Sequence, residues 1–286
     1  MRHSLRTGMS VLFTVCLLRH PAVRAQEAAT PAQAPRLELP RGQASWTGEI
    51  PPGKTLEVKS ILGPIRVEPA TGPVATVEIR RIVPPGVPDE PVIHVVTTEK
   101  GVTICPVYPS KDSNKPNECV PGRRKGRMKS VLWEKGVTFE YVVHVPAGVS
   151  FTGETAIGTI TGTLLENDVD VETSTSEIRI VTGRSTKAKN YKGPVTVQLA
   201  ASSVDRRIQV QAFNGTATVL VPARTKYFYS LDAPNGRIRA NDRPKVEVNA
   251  MSRMEASNTG GPRSGPKTTI TVETYDGDSV IHVAPN

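Results

Sequence analysis

The residues best suited to chemistry in this sequence are three acidic side chains at alternate positions, Asp168, Asp170 and Glu172. On a β-strand, side chains at alternate positions point to the same face and lie about 6.5–7 Å apart. Carboxylates at that spacing could bind calcium, or could flank a glycosidic bond in a sugar-cleaving enzyme. The alternative is a solvated strand face, with Val169 and Val171 turned inward. The chain is only 5% aromatic, which argues against the sugar-cleaving enzyme, because the substrate clefts of such enzymes usually show exposed aromatic rings.

Other sequence signatures of catalysis or metal binding are missing. The chain has no Gly-x-Ser-x-Gly nucleophile elbow and no His-Glu-x-x-His zinc motif. His94, His144 and His282 each lie in a run of apolar strand residues, and we interpret them as ordinary strand positions. We therefore predict no catalytic residues, no metal site and no cofactor.

The cysteines predict one disulfide. Of the three cysteines, only Cys105 and Cys119 lie beyond the N-terminal segment. An even pair of cysteines in an exported chain favours a disulfide, and two thiols with no nearby histidine do not complete a zinc site.

The densest charge follows Cys119 and consists of five basic side chains: Arg123, Arg124, Lys125, Arg127 and Lys129. Such a cluster could bind an anionic polymer, lipid head groups or the acidic face of a partner protein. The alternative is a solvated loop that discourages strands from pairing edge to edge. No aromatic residues are interleaved with the charges, which argues against nucleic acid. We take these five residues as a candidate anionic-ligand patch.

The N-terminus predicts export. In residues 1–25, Arg2 and Arg6 precede an apolar stretch too short to span a bilayer, and small residues precede Gln26, as in a secretory signal peptide. Removing the four arginines of this segment from the 36 basic residues leaves 32 against 27 acidic ones, a net charge of +5. That charge is too small to indicate nucleic-acid binding. We predict a protein of the periplasm, the cell envelope or the extracellular space, with no transmembrane segment after cleavage.

The remainder divides into a linker and one β-rich domain. Residues 26–44 are rich in Ala, Pro and Gln and predict a flexible linker. From Ser45 to the end, Val, Ile and Thr alternate with polar residues at the period of a strand. We predict a β-strand-repeat domain over 45–286, with a disulfide-bearing insertion at 105–130. A second irregular segment, rich in Gly, Ser, Asn and Pro, covers 251–266.

A repeated phrase predicts how the strands are arranged. Pro-x-Gly, a strand and a further turn Gly recur at the same interval from Pro51 to Gly63 and from Pro146 to Gly158; a degenerate copy from Pro222 to Gly236 is two residues longer. Proline ends a strand and glycine turns the chain. Corners recurring at such intervals favour an all-β solenoid, a β-helix-like stack of short strands. The alternative is a β-sandwich whose hairpins share turn chemistry.

The ordered set of motifs resembles the bacterial putative-adhesin β-strand-repeat family, an envelope domain of unknown function. The motifs that carry the resemblance are WTG at 46–48, PGKTLEV at 52–58, GPI at 63–65, VTICPVYP at 102–109, VPAGV at 145–149 and NGRI at 235–238. The family offers no catalytic residues to carry over. One departure is Ser174-Thr175-Ser176, where such repeats often place Asn-Gly before the strand.

The resemblance implies an exported, non-catalytic protein that acts as an adhesin-like binding or structural module. Its expected partners are an anionic envelope polymer, the cell surface or an envelope protein. Two other hypotheses remain: a polysaccharide-active β-helix enzyme that uses the acidic strand, and a component of envelope-stress signalling that binds a membrane partner.

Overall fold

The structure is a computed structural model that describes residues 36–37, 43–87, 91–110, 112, 114, 116–123, 136–202, 204–223, 225–241, 253–257 and 267–284. Only the backbone is described at 36, 37, 43 and 253–257. All of these residues belong to the compact unit Ala34–Asn286. The predicted signal peptide and most of the predicted linker therefore lie outside the described residues.

Within the described residues the chain forms strands and no helix. In chain order the strands are β1 Arg36–Leu37, β2 Gln43–Glu49, β3 Thr55–Lys59, β4 Ile65–Pro69, β5 Val74–Ile82, β6 Val92–Thr98, β7 Gly101–Val107, β8 Thr138–Val145, β9 Ser150–Ile157, β10 Ile160–Leu164, β11 Val169–Thr175, β12 Ile178–Thr182, β13 Thr186–Lys192, β14 Val195–Leu199, β15 Arg206–Asn214, β16 Ala217–Val221, β17 Tyr227–Asp232, β18 Ile238–Ala240, β19 Arg253–Ser257, β20 Thr268–Asp276 and β21 Ser279–Val283. The all-β prediction is confirmed.

The strands form two mixed sheets. Sheet A has the order β1-β6-β7-β3-β9-β11-β13-β15-β20-β17-β19, and sheet B has the order β18-β21-β16-β14-β12-β10-β4-β8-β5-β2. From β9 to β16 the chain alternates between the sheets, so each turn adds one strand to each sheet, parallel to the strand before it. This is the stacking that the solenoid hypothesis predicts. Two sheets sharing one buried core also fit the sandwich alternative.

Alternating burial explains why these segments are strands. In β8 every second side chain is buried, including Phe139, Tyr141 and Val143, while the residues between them are half-buried. Parallel register then brings the buried residues of successive turns together, so that Val171, Ala188 and Val210 lie side by side. Each buried valine contributes roughly 1.5 kcal/mol or more relative to an exposed one.

Glycines stack in a column at the corner where the chain passes from sheet A to sheet B. The N–H of Gly193 donates to the carbonyl of Asn214 (2.9 Å), and that of Gly215 donates to Asp276 (3.1 Å). A Cβ on Gly215 would lie 2.3 Å from the carbonyl oxygen of Gly193, closer than real atoms approach. Ser176 occupies the same column with φ 115°, and it is the only non-glycine residue with positive φ among those described.

Buried polar side chains line the inside of the same corner. Thr173 Oγ1 donates to the carbonyl of Gly158 (3.0 Å), Thr274 Oγ1 to that of Gly277 (2.7 Å), and Asn190 Nδ2 to that of Ser176. These bonds give the corner carbonyls a hydrogen-bond partner. A buried carbonyl that lacks a partner costs about 1–3 kcal/mol.

The Pro-x-Gly phrase marks the opposite corner. The first two copies stack on each other, because the N–H of Gly53 donates to the carbonyl of Gly148 (2.8 Å). Both glycines have left-handed φ, 81° and 76°. The repeat in the sequence is therefore a contact in space between neighbouring turns.

Two predicted irregular segments contain strand residues. The insertion predicted at 105–130 begins inside β7, which continues to Val107. The segment 251–266 contains β19, which pairs antiparallel with β17 at the edge of sheet A. β19 lacks β-branched residues, so it has no local strand signal, and pairing with a neighbour determines its conformation.

Ser176→Gly should stabilise the protein, because glycine adopts positive φ without the strain of a Cβ. We expect the free energy of unfolding to rise by about 1 kcal/mol, after allowing for the entropy that glycine adds to the unfolded chain. Urea denaturation of the full-length protein measures the change. Ser174→Gly, in ordinary strand conformation two residues away, is the matched control and should not stabilise. An equal gain in both variants would show that strain at Ser176 is not the cause.

Candidate functional site

The outward face of sheet A carries rows of polar side chains. Because β3, β9, β11 and β13 are parallel and in register, Glu57, Thr152, Asp170 and Lys187 form one row. A second row, one step along the strands, consists of Lys59, Glu154, Glu172, Lys189, Gln211, Glu273 and Asp232. Residues far apart in sequence are thus neighbours on one surface.

The predicted disulfide is confirmed and anchors a loop to this face. Cys105 in β7 and Cys119 are bonded, with their Cα atoms 5.8 Å apart. Asn117 strengthens the same attachment, since its Nδ2 donates to the carbonyl of Tyr108 (2.8 Å). We call the segment 116–123 the disulfide loop.

Glu57 and Lys59 hold the far end of the disulfide loop. Glu57 Oε2 accepts hydrogen bonds from the N–H of Gly122 (2.8 Å) and from Thr103 Oγ1 (2.7 Å). Lys59 Nζ donates to the carbonyl of Val120 (2.8 Å) and to that of Gly122. Both charged residues are buried, at 5% and 2% exposure, so the loop covers them.

Arg123 joins the disulfide loop to the acidic strand. Its guanidinium forms ion pairs with Asp170 and with Glu172, the latter at 3.1 Å. Burial raises the pKa of Asp170, and the neighbouring carboxylates Glu172 and Glu154 raise it further, while Arg123 and Lys187 oppose the shift. Arg123 therefore points into the protein and compensates two carboxylates.

These contacts define what the acidic strand does. Glu172 is buried, and Asp170 is half-buried beside Arg123. Asp168 lies just before β11, and its Oδ1 accepts a hydrogen bond from the N–H of Ser185 in the next turn (3.1 Å). The three carboxylates thus serve the packing of the loop and of the neighbouring turn.

A groove of about 270 Å³ runs beside the disulfide loop. Its lining includes Thr152, Asp170 and Arg123, together with Thr98 and Lys100. The remaining members of the predicted anionic-ligand patch are Arg124, Lys125, Arg127 and Lys129, and they lie outside the described residues.

The histidines are spread over both sheets. His144 in β8 bonds through Nδ1 to Thr76 Oγ1 (3.0 Å), and its Nε2 lies 3.4 Å from Glu68 Oε2. His94 is half-buried in β6, and His282 is exposed in β21. Across the described ranges, no group of three or more His, Cys, Asp or Glu side chains is arranged to hold a metal ion. Nor does that part of the chain contain a helix capable of spanning a bilayer.

Sequence reasoning missed two features of sheet A. Glu57 and Lys59 alternate with Leu56 and Val58, a pattern that predicts an exposed polar face; only the disulfide loop buries them. The second feature is an exposed aromatic pair, Phe213 and Tyr275, whose rings stack. Aligning the turns on their corner glycines could have found the pair, because each ring lies two residues before a corner glycine.

Arg123→Met should destabilise the protein, because Glu172 keeps its buried charge but loses the guanidinium beside it. We expect the free energy of unfolding to fall by about 3 kcal/mol, measured by urea denaturation. Adding Glu172→Gln should recover most of the loss, since the buried side chain beside the missing guanidinium is then uncharged. Arg179→Met is the control, because its ion pair with Glu177 is exposed and should be worth less than about 1 kcal/mol. Equal effects of the two methionine variants would contradict the anchoring role of Arg123.

No family model matches the sequence, and no curated protein matches it. Among solved structures, the chain is similar to a putative cell adhesion protein from Clostridium sporogenes, with 11% identity, a TM-score of 0.45, and coverage of 85% of this chain and 100% of that one. It is also similar to a putative adhesin from Bacteroides fragilis (8% identity, TM-score 0.27, 85% and 98% covered) and to one from Parabacteroides distasonis (8%, 0.24, 85% and 97%). At such low identities and TM-scores, the likeness assigns neither a ligand nor a functional residue to this chain.

Proposed function

We propose that this chain is an exported, non-catalytic β-repeat protein that acts as an adhesin-like binding or structural module of the cell surface or envelope. The observation that carries the proposal is the pairing of Arg123 with Asp170 and Glu172. In this pairing, the acidic residues that the sequence suggested for catalysis or calcium binding hold the disulfide loop on sheet A. Export itself rests on the signal-peptide pattern of residues 1–25.

The same pairing disfavours the rival enzyme. A glycoside hydrolase needs two carboxyl groups that both face the sugar, one as acid and one as nucleophile or base. Glu172 is buried beneath the disulfide loop, and it shares one guanidinium with Asp170. A substrate would have to displace the loop, which two backbone-binding charged residues and a disulfide hold in place.

Arg123 directly precedes the remaining basic residues of the predicted patch. It lies at the wall of the groove beside the loop, and Lys100 lines the same groove. Arg124, Lys125, Arg127 and Lys129 follow directly in the sequence. We propose that these four cations, which are not needed for the ion pairs of Arg123, bind an anionic envelope polymer.

Neutralising the four cations should weaken binding to anionic polymers. The variant Arg124→Gln/Lys125→Gln/Arg127→Gln/Lys129→Gln should elute from an immobilised acidic polysaccharide, such as polygalacturonate, at lower salt than the wild type does, because fewer counterions are exchanged on binding. The matched control is Arg66→Gln/Arg80→Gln/Arg179→Gln/Arg239→Gln, which removes the same charge from exposed positions outside the loop.

Equal elution of the two variants would show that net charge, and not the basic segment, governs retention. Release of sugar from the same polymer by the wild type would overturn the non-catalytic assignment. Retention of the control at wild-type salt, with loss only in the segment variant, supports the proposal.

A further inference from the structure

A second surface of sheet A has the composition of a ligand site. Phe213 in β15 and Tyr275 in β20 are 49% and 51% exposed. Their rings are parallel, with an angle of 6° between planes and 4.8 Å between centroids. Exposing two large rings together costs hydrophobic free energy, so such a pair on a surface calls for an explanation.

Packing of the coils does not require these rings. Phe213 and Tyr275 occupy the position two residues before the corner glycine, and their register places them in one row with Tyr191, Ser174 and Ala156 of the preceding turns. Alanine and serine fill the position in two turns of the same stack. The fold therefore does not require an aromatic ring at this position. The rings lie at one end of the row, on β13, β15 and β20.

A groove of about 330 Å³ lies against the ring pair. Its polar lining includes the side chains of Gln211, Asp232 and Glu273. Gln211 and Glu273 are oriented by a mutual hydrogen bond, Nε2 to Oε2 at 2.6 Å. On one side Lys189 lines the groove, with its Nζ 4.8 Å from the centroid of the Tyr191 ring. Apolar rings and several fixed hydrogen-bonding groups thus border one groove.

We propose that this groove binds an uncharged glycan. A hexose presents apolar C–H groups on one face and hydroxyls around its edge, so it can pack against the rings while amide and carboxylate groups bind the hydroxyls. The charged residues of the groove disfavour an anionic ligand, because Lys189 is outnumbered by Asp232 and Glu273. A polyanion would meet this excess of negative charge.

The glycan site rests on the proposed function of the protein as a binding module, and it adds a ligand at a second surface of the same protein. The ring groove involves β13, β15, β20 and the end of β17, whereas the disulfide loop covers β3 and contacts β11. Each surface can therefore be altered without touching the other.

The test is isothermal titration of the full-length protein with uncharged hexasaccharides: cellohexaose, maltohexaose and chitohexaose. At least one should bind the wild type, and Phe213→Ala/Tyr275→Ala should weaken it by about tenfold or more, as expected when anchoring aromatics are truncated. Phe213→Tyr/Tyr275→Phe keeps both rings and should bind within about twofold of wild type. Phe228→Ala removes a ring that is 43% exposed on β17, outside the groove, and should bind as the wild type does.

Several results would overturn the assignment. They are binding of none of the sugars, equal loss in the Phe228→Ala variant, or unchanged binding in the double alanine variant with an unaltered thermal midpoint. A fall in sedimentation coefficient caused by the alanine pair, without glycan binding, would assign the rings to contact between two copies of the chain. If no glycan binds while retention on acidic polymer persists, only this assignment fails; if neither is seen, the proposed function fails as well.

Discussion

At the glycine corner of this protein, the backbone of one turn must lie as close to the backbone of the next turn as neighbouring strands of a sheet do. The N–H of Gly193 donates to the carbonyl of Asn214 on the next turn, and that of Gly215 donates to Asp276. A Cβ on Gly215 would meet the carbonyl oxygen of Gly193 on the turn before. A single Cβ would lie about 2 Å from a backbone oxygen in these positions. The glycine column, the threonine and asparagine side chains that bind its carbonyls, and the strain at Ser176 all follow from this one constraint.

In-register stacking also organises the surface. Because the strands of sheet A repeat without a shift in register, side chains at equivalent distances from a corner line up across the turns. Charged rows form in this way near β3 and β11, and an aromatic row forms near β15 and β20. Stacking of the turns thus places residues from distant parts of the sequence on one face, where neighbouring positions differ in chemistry while the backbone pairing stays the same.

The disulfide loop shows how an insertion becomes part of such a face. Burying Glu57, Lys59 and Glu172 costs solvation free energy, which hydrogen bonds to the loop backbone and the guanidinium of Arg123 offset. The disulfide lowers the entropy of the unfolded loop, so that these contacts need not order it alone. The result is a loop attached at both ends, with the basic segment continuing from its last residue.

The sequence by itself determined the strand class, the corner positions and the cysteine pair, because alternation, glycine corners and cysteine content are local properties. The family resemblance marked the stretch that begins at Ser174 as a departure from the usual Asn-Gly corner, and the structure shows positive φ at Ser176 within it. It did not reveal the pairing of Arg123, the burial of Glu57 and Lys59, the strand β19 or the stacking of Phe213 on Tyr275. Each of these depends on which distant segment lies beside which. Only the tertiary structure decides that, since a polar residue on a strand is exposed or buried according to what covers it.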